Sequence, residues 1–478
     1  MTEYEVVIGL ETHIQLNTTS KIFCSCKADS WDDEPNTNIC PICSGLPGTL
    51  PVLNKAVVEK GVLLAKAMQA QIRMLSFFDR KNYFYPDLPK GYQISQYDLS
   101  LASGGYMDVP MPEGYIRRVN IHKLHLEEDA GKTKNAGNQR LIDFNRCGVP
   151  LIEMVTEPDL RSANEAAQYL IRLRQLLRWL NISEADMEKG HLRCDANVSV
   201  RPKGSDQLFT KTEIKNVNSI DNIRNAIEHE AQRQIREVSA GRRIVSWTLD
   251  WDEEKNELRK MRSKETEADY RYFRDPDLLP LRLSDQWLGD ILCDFPELPL
   301  ERRARFISQH NLPEYDADIL TGERNFSDFF EAALGAYGGD PKKVSNYLIN
   351  DILRMLNEKG LTANQLKITP AYLAQILKMV DDGKINTSTG KSLLDKVETS
   401  GESPESIVER EGLGLVSDDS AIRAVAEKIV ASHPKEVETY RSGKETLIGW
   451  FTGQVMREMR GKADPQLATR ILLELLKK

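Results

Sequence analysis

The chain has 478 residues, and 72 Asp and Glu against 64 Lys and Arg give it a formal net charge of −8. This length exceeds one ordinary hydrophobic core, so two or three domains are expected. The negative charge excludes a protein that coats nucleic acid indiscriminately. No apolar run approaches the roughly 20 residues of a membrane span, and Glu3 and Glu5 stand where a secretory signal would be basic. We therefore expect a globular protein of the cytoplasm that does not enter a membrane.

Short alternating apolar segments, glycine and proline predict a mixed α+β domain from residue 1 to about residue 290. Its first strand has apolar residues at alternate positions, which predicts that one face packs on a core. These positions are Val6, Ile8, Leu10, Ile14 and Leu16. Glu11, His13 and Gln15 are therefore expected to share the opposite face.

Four of the seven cysteines follow this strand as two close pairs, Cys24 with Cys26 and Cys40 with Cys43. Two pairs joined by a short polar loop have the spacing of metal ligands, and a reducing cytoplasm disfavours a disulfide. Four thiolates suit tetrahedral Zn²⁺ without an open position, so we predict a structural zinc site. The alternative is four unpaired buried thiols. The other cysteines are expected to be packing residues, namely Cys147, Cys194 and Cys293.

Three later strand-like segments also place acidic residues on the face away from the core. The polar positions are Lys123, His125 and Glu127 in the first segment, Glu153 and Glu157 in the second, and Arg193, Asp195, Asn197, Ser199 and Arg201 in the third. If these faces converge with that of the first strand, several carboxylates and an imidazole surround one point. Hard oxygen ligands of this kind favour Mg²⁺ or Mn²⁺, and such a site suits phosphate chemistry. Each acid taken singly also fits a solvated strand edge.

The second half of the chain changes character, because from residue 300 onward apolar residues recur at helical spacing. This pattern predicts helical bundles. Glycine- and serine-bearing segments at residues 399–404 and 412–414 mark a boundary before a last small helical unit. Within that unit Asp464 is expected to cap a helix that has Pro465 at its first position.

The last part of the chain is basic, with eleven Lys or Arg and seven Asp or Glu in residues 421–478. A basic tail on an acidic body is suited to gripping one structured RNA, whereas a solvated helical surface is the other interpretation of the charge. Gly449 and Gly453 stand four residues apart, which predicts a helix face open to close backbone approach. The basic residues assigned to this tail surface are Lys444, Arg457, Arg460 and Lys462.

One long run and several shorter motifs are specific enough to compare with a known family. The run extends from Phe78 to Gln96, and the motifs are Ile8–His13, the paired cysteines, His125–Lys132, Asn145–Glu153 and Arg193–Ser199. Together they resemble the GatB family, which belongs to the GatCAB tRNA-dependent amidotransferases, over nearly the whole chain. The resemblance implies an α+β cradle domain at residues 1–293 that contains the cysteine motif. An all-α helical domain at 294–405 and a YqeY-like, tRNA-binding tail at 406–478 would follow it.

The resemblance implies that the cradle uses ATP and Mg²⁺ to phosphorylate the γ-carboxylate of Glu-tRNA(Gln) or the β-carboxylate of Asp-tRNA(Asn). Ammonia then displaces the phosphate. Carried over by position, the catalytic residues and the Mg²⁺ ligands fall on His13, Glu127 and Glu153, with Glu11 and Asp195 close by. Glu128, on the other face of its segment, is a weaker candidate.

The resemblance also implies a nucleotide or tRNA 3′-end contact, at Tyr83, Tyr85, Lys90 and Gln93. The alternative for this region is that its aromatic residues belong to the core. The Gly-Gly-Ser-Ser-Gly-Gly run of amidase-family glutaminases is absent from the sequence. A GatA-like amidase subunit and a GatC-like small subunit are therefore implied as partners in a heterotrimer that acts on aminoacyl-tRNA. A non-catalytic tRNA-binding scaffold is the competing hypothesis.

Overall fold

The computed structural model describes residues 3–263, 270–415, 419–459 and 463–477. The chain forms two compact units, Met1–Leu298 and Pro299–Lys478. Every strand found in the described residues lies in the first unit, and the second unit is built from helices. The predicted α+β class with a helical second half is thus confirmed.

The first unit is organised around one large, mostly antiparallel sheet. The strands are β1 (Tyr4–Gln15), β2 (Gln71–Ile72), β3 (Leu75–Ser76), β4 (Asp79–Asn82), β5 (Tyr92–Ser95), β6 (Ala102–Ser103), β7 (Tyr106–Pro110), β8 (Ile116–Glu128), β9 (Lys132–Ala136), β10 (Gln139–Asp143), β11 (Pro150–Thr156), β12 (Leu192–Pro202), β13 (Thr212–Val217), β14 (Trp247–Asp252), β15 (Glu257–Ser263), β16 (Phe273–Arg274) and β17 (Leu281–Arg282). Ten of them form the large sheet, in the order β15-β14-β13-β12-β1-β11-β8-β6-β2 with β7 also paired to β8. Smaller ladders join β9 to β10, β4 to β5 and β16, and β3 to β17.

Strand β1 runs through the middle of the large sheet, between β12 and β11. Its side chains alternate as the sequence predicts. Ile8, Leu10 and Ile14 are buried in the main hydrophobic core, whereas His13 and Gln15 are only partly buried on the other face. A central strand with one apolar and one polar face therefore separates the core from the site described below.

Helices cover the apolar face of the sheet. They are α1 (Lys55–Ala67), α2 (Ala163–Trp179) and α3 (Ile220–Ser239), and α4 (Asp285–Leu292) packs against α1. Leu170 and Leu173 of α2 and Ile227 of α3 belong to the same core cluster as Ile8 of β1. Each of these helices begins at a polar residue whose side chain accepts a hydrogen bond from a backbone N–H of the first turn, as Ser162 does for Glu165. Because the helices occupy one face, the polar residues of β1 and its neighbours face away from them.

The second unit contains two hydrophobic cores. Its helices are α5 (Pro299–His310), α6 (Glu314–Leu320), α7 (Arg324–Tyr337), α8 (Pro341–Tyr347), a π-helical turn (Leu348–Ile352), α9 (Leu353–Lys359), a 3₁₀ turn (Ala363–Gln365), α10 (Pro370–Asp381), α11 (Thr387–Ser400), α12 (Pro404–Glu411), α13 (Asp419–Ser432), α14 (Pro434–Arg441), α15 (Leu447–Glu458) and α16 (Pro465–Leu476). One core extends from Phe306 to Ile407, and the other from Ile422 to Leu476. The domain boundaries at 293/294 and 405/406 stay predictions.

Several local predictions can be compared directly with the structure. Asp464 caps α16, whose first residue is Pro465, as predicted. Cys147 and Cys194 are buried, but Cys293 is exposed. The packing role predicted for Cys293 is wrong, because this cysteine follows α4, none of whose residues is buried. Among the described residues, no helix combines the length and the apolar character needed to cross a membrane.

Candidate active site

A row of four polar side chains crosses the middle of the large sheet. His13 of β1 is directly opposite Glu153 of β11 on one side and Arg193 of β12 on the other. Glu153 is in turn opposite His125 of β8. Directly opposed residues of an antiparallel pair point to the same face, with Cβ atoms about 4.5–5.5 Å apart. The strand register alone therefore lines up His125, Glu153, His13 and Arg193.

Three carboxylates surround the imidazole of His13. Its Nε2 atom lies 3.5 Å from Glu153 Oε2, 3.9 Å from Glu127 Oε1 and 3.9 Å from Glu11 Oε1. Ligand atoms of Glu11, His13 and Glu153 lie within 4.8 Å of one another, and so do those of His125, Glu127 and Glu153. The convergence predicted for His13, Glu127, Glu153 and Glu11 is present. A donor set rich in carboxylate oxygens fits a hard divalent cation such as Mg²⁺.

Glu127 and Glu153 are 2% and 6% exposed, so these two acids do not lie on a solvated strand edge. Burial opposes ionisation of Glu153, but the imidazoles of His125 and His13 hold its pKa well below the usual range. Burial raises the pKa of Glu11, and the charge of Glu153 raises it further. Burial alone would lower the pKa of Lys81, yet Glu127 and other nearby groups raise it. Glu127 and Glu153 are thus buried acids whose ionised forms are stabilised by neighbouring cationic groups.

His125 is a residue of this site that the sequence interpretation did not select. Its Nε2 atom lies 3.3 Å from Glu153 Oε2 and 3.6 Å from Glu127 Oε2. Burial lowers the pKa of His125, but Glu153 and Glu127 raise it to about 9. Its Nδ1 atom is buried without a hydrogen-bond partner among the described residues. The signal was available in the sequence, because His125 stands two residues before Glu127 and therefore on the same strand face.

Asp195 lies next to the group but is already paired. It is directly opposite Glu11 in the register of β1 and β12. Its carboxylate accepts a hydrogen bond from Lys215 Nζ, and Lys215 also lies 3.3 Å from Glu213. The structure therefore brings Asp195 beside the predicted metal ligands and gives it a cationic partner of its own.

The residues predicted to contact nucleotide lie mainly around Glu128, on the other face of β8. Glu128 accepts hydrogen bonds from Lys90 Nζ and from the backbone N–H of Ile94. Gln93 donates to the backbone carbonyl of Glu128 and accepts a hydrogen bond from the hydroxyl of Tyr83. Tyr85 is exposed. Glu128 therefore lies on the opposite face from Glu127, as predicted.

A cavity of about 910 Å³ opens beside the row of side chains. His13, Arg193, Asp195 and Lys215 line the part of the cavity next to the acidic group. Trp31 lines it as well, and Lys132 Nζ lies 5.0 Å from the centre of the Trp31 ring. The volume is in the range of cavities that hold a drug-sized ligand or a cofactor.

The four free cysteines Cys24, Cys26, Cys40 and Cys43 also converge, because their sulfur atoms all lie within 4.8 Å of one another. Cys43 Sγ is 3.8 Å from Cys40 Sγ, and a tetrahedral site with Zn–S bonds of about 2.3 Å requires a sulfur–sulfur separation of about 3.8 Å. Hydrogen bonding to Cys24 lowers the pKa of the Cys43 thiol to about 4 against the effect of burial. The buried Lys21 ammonium lies 3.7 Å from Cys43 Sγ and favours the thiolate. The donor set fits Zn²⁺.

Comparison with known proteins gives matches over both halves of the chain. Residues 6–289 match the family described as GatB/GatE catalytic domain, and residues 328–476 match the one described as GatB domain. The chain belongs to the GatB family. The B subunit of aspartyl/glutamyl-tRNA(Asn/Gln) amidotransferase from Persephonella marina is 47% identical over 475 residues, which are 99% of this chain and 100% of the relative. Relatives of the same name from Thermodesulfovibrio yellowstonii and Thermoanaerobacter pseudethanolicus are each 47% identical, over 476 and 477 residues, and are matched over 100% of their length.

The residues that match the GatB/GatE catalytic domain include the whole row of polar side chains and the four cysteines. The family membership inferred from the sequence motifs is therefore confirmed. In the tail, Gly449 and Gly453 of α15 are exposed, and a Cβ atom added at either would meet no atom within 4 Å. Lys444 and Arg457 are exposed as well. Arg460 and Lys462 lie outside the described residues.

Proposed function

We propose that the chain is the component of a tRNA-dependent amidotransferase that converts Glu or Asp esterified to tRNA into Gln or Asn. The observation that carries this proposal is the group formed by the partly buried His13 and the buried Glu127 and Glu153, within residues that match a GatB/GatE catalytic domain. The full-length relatives support it, because they are named as parts of an aspartyl/glutamyl-tRNA(Asn/Gln) amidotransferase.

The proposed reaction has two steps because a carboxylate is a poor electrophile whose oxide cannot leave. Transfer of the γ-phosphoryl group of ATP to the carboxylate creates an acyl phosphate, and ammonia then displaces phosphate to give the amide. Mg²⁺ would supply the positive charge that the transferred phosphoryl group needs. His13, Glu127 and Glu153 would hold this ion, with Glu11 at the edge of the group.

Neighbouring residues are proposed to keep Glu127 and Glu153 ionised and to limit the access of water to them. Lys81 of β4 lies 5.0 Å from the centre of the Tyr270 ring, and its charge acts on Glu127 and Glu153. Burial of the two glutamates limits access of water to the carboxylate side of the site. Such exclusion of water protects an acyl phosphate from hydrolysis before ammonia arrives.

Tyr83, Tyr85, Lys90 and Gln93 are proposed to contact the nucleotide or the tRNA 3′ end. The hydrogen bonds that join Tyr83 to Gln93, and Gln93 to the backbone of Glu128, support this assignment. They tie the segment to β8, the strand that carries Glu127. The ring of Tyr85 meets the Tyr83 ring edge to face and is otherwise exposed, so it offers a surface on which a base can stack.

Ammonia is proposed to come from a partner, a GatA-like amidase accompanied by a GatC-like small subunit in a heterotrimer. The relatives support an assembly of this kind, because their names describe one subunit of a larger enzyme. The absence of a glutaminase motif from the sequence supports it too. The complex is expected to work in the cytoplasm.

The proposed function is tested with the chain assembled with its partner subunits. Transfer of label from [γ-³²P]ATP to Glu-tRNA(Gln) or Asp-tRNA(Asn) is measured with Mg²⁺ and with EDTA. The proposal expects Mg²⁺-dependent labelling of the aminoacyl ester and conversion to the amide when glutamine is added. A non-catalytic scaffold would bind the tRNA and leave both esters unchanged.

The cysteine cluster is expected to hold one structural Zn²⁺ per chain. Elemental analysis of metal-replete, unoxidised protein measures the zinc content directly. Cys43→Ser should lose most of the metal, because a hydroxyl replaces one of four thiolate ligands. Cys293→Ser is the matched control, since this cysteine is exposed and outside the cluster, and it should keep its zinc. Less than half an equivalent in the unmodified chain would contradict the prediction.

The tail is expected to hold the body of the tRNA. A chain that ends after Leu415 keeps the core that includes Ile407 and loses α13 to α16. Its KM for charged tRNA should rise by about tenfold or more, a change of about 1.4 kcal/mol, while the glutaminase activity of the assembled complex should be retained. Gly453→Leu is the finer test, because it fills the exposed helix face without entering a core. Unchanged tRNA affinity in both variants would count against this role.

A further inference from the structure

Arg193 lies beside His13 at the boundary between the acidic group and the large cavity. It is directly opposite His13 in the register of β1 and β12, on the side away from Glu153. Its side chain also lines the cavity together with His13. We propose that Arg193 contacts the γ-phosphoryl group while this group is transferred to the carboxylate. This inference rests on the proposed function and adds a catalytic residue to it.

Asp129 fixes the guanidinium of Arg193 from one side. Asp129 is 5% exposed, and its Oδ2 atom accepts hydrogen bonds from Arg193 Nη2 at 2.9 Å and from Gln15 Nε2 at 2.8 Å. Its Oδ1 atom accepts from the backbone N–H of Ala130. A carboxylate held at both oxygens gives the guanidinium a fixed position before any ligand is bound.

The guanidinium keeps donors for a ligand after this pairing. A guanidinium has five N–H donors, and Asp129 engages the Nη2 end of Arg193. The Nε atom of Arg193 is buried and has no hydrogen-bond partner among the described residues. A buried cationic donor without a partner is costly, so a bound anion that accepts its hydrogen bonds would be stabilised.

Two neighbouring cations that line the same cavity are more fully engaged. Lys215 is paired with Asp195 and lies 3.3 Å from Glu213. Arg146 donates to the backbone carbonyls of Ala130 and Gly131. Arg193 therefore combines an unpaired donor with a position next to the predicted metal ligands.

The chemistry of the step matches such a group. The bond between the γ-phosphorus and the oxygen that bridges to the β-phosphate breaks, and a bond between the γ-phosphorus and a carboxylate oxygen forms. ADP leaves with the electron pair of the broken bond, and no proton is transferred. Negative charge is spread over the three equatorial oxygens during the transfer, and a planar guanidinium binds two such oxygens side by side.

The test compares Arg193→Gln and Arg193→Lys with Arg201→Gln in the assembled complex. Arg201 is the matched control, because it lies on the same strand and pairs with a carboxylate, Glu5, away from the site. Single-turnover transfer from [γ-³²P]ATP to Glu-tRNA is measured beside Mn²⁺ binding by electron paramagnetic resonance. For Arg193→Gln we expect the transfer rate to fall by on the order of 10³-fold. Mn²⁺ affinity should stay within threefold or become tighter, because a positive charge next to the ligands is removed.

Arg193→Lys keeps the charge without the planar fork and should recover only a small part of the rate. If Arg193→Gln transfers phosphate within fivefold of the unmodified complex, the inference is overturned and the proposed function stands. If Arg193→Gln loses Mn²⁺ binding, Arg193 acts through the metal site and direct contact is overturned. If the unmodified complex transfers no phosphate, the proposed function fails and this role falls with it.

Discussion

Replacing Glu127 or Glu153 by Gln is expected to lower the rate of ATP-dependent phosphorylation of Glu-tRNA by on the order of 10²- to 10³-fold. Each change keeps the size of the side chain and removes one negative oxygen from the group around His13. A hard cation needs these charges, and weaker holding of the cation is expected to cost several kcal/mol of transition-state stabilisation. The measurement is phosphoryl transfer at saturating Mg²⁺ in the complex assembled with each variant.

Glu157→Gln is the matched control for these variants, because Glu157 follows β11, the strand of Glu153, and its partly exposed side chain pairs with His122. It should retain the rate of the unmodified complex. Glu128→Ala should have a smaller effect than either change at the site, since Glu128 lies on the other face of β8. Hydrolysis of glutamine without tRNA should survive in all four variants. Near-normal phosphoryl transfer in both the Glu127 and the Glu153 variants would contradict the metal site and favour the hypothesis of a non-catalytic scaffold.

His125→Gln is expected to weaken Mn²⁺ binding and to slow phosphorylation, each by about 10- to 100-fold. His125 Nε2 lies 3.3 Å from the carboxylate of Glu153 and 3.6 Å from that of Glu127, so we expect the imidazole to hold both carboxylates in position. Loss of this contact leaves two buried carboxylates close together, with less positive charge nearby to offset their mutual repulsion. Titration with Mn²⁺ separates this positioning role from a direct role in transfer.

His122→Gln provides the comparison on the same strand. His122 is exposed and contacts Glu157, away from the buried group. Its replacement should leave both Mn²⁺ affinity and the rate of transfer unchanged. Equal Mn²⁺ affinity in the His125 and His122 variants would show that His125 does not position the ligands.

Strand alternation predicted which of the candidate site residues share one face of the sheet. From Ile8 to Ile14 every second residue of β1 is buried, so His13 and Glu11 share the other face. The same rule separated Glu127 from Glu128. The spacing of the cysteine pairs predicted their convergence in a similar way, because a short loop limits how far apart the pairs can lie.

Other features of the site depend on contacts between distant segments, and the sequence pattern could not predict them. Nothing in the alternation of β8 indicates that its polar face is buried, because that burial also depends on distant segments, such as β5, whose Ser95 hydroxyl donates a hydrogen bond to Glu127. The pairing of Asp129 with Arg193 joins residues 64 positions apart. The family resemblance identified which motifs belong together. It did not indicate that His125 contacts two of the proposed metal ligands.

The three hydrophobic cores have a consequence for the way stability is measured. Cores that unfold separately do not follow a two-state transition, so no single melting temperature describes the chain. Five of the six tryptophans, Trp31, Trp179, Trp247, Trp251 and Trp287, belong to the first unit, whereas most helical residues belong to the second. Tryptophan fluorescence will therefore report mainly on the sheet that carries the site. Helical circular dichroism will report mainly on the other unit, so a site variant can look unaltered by one signal and unfolded by the other.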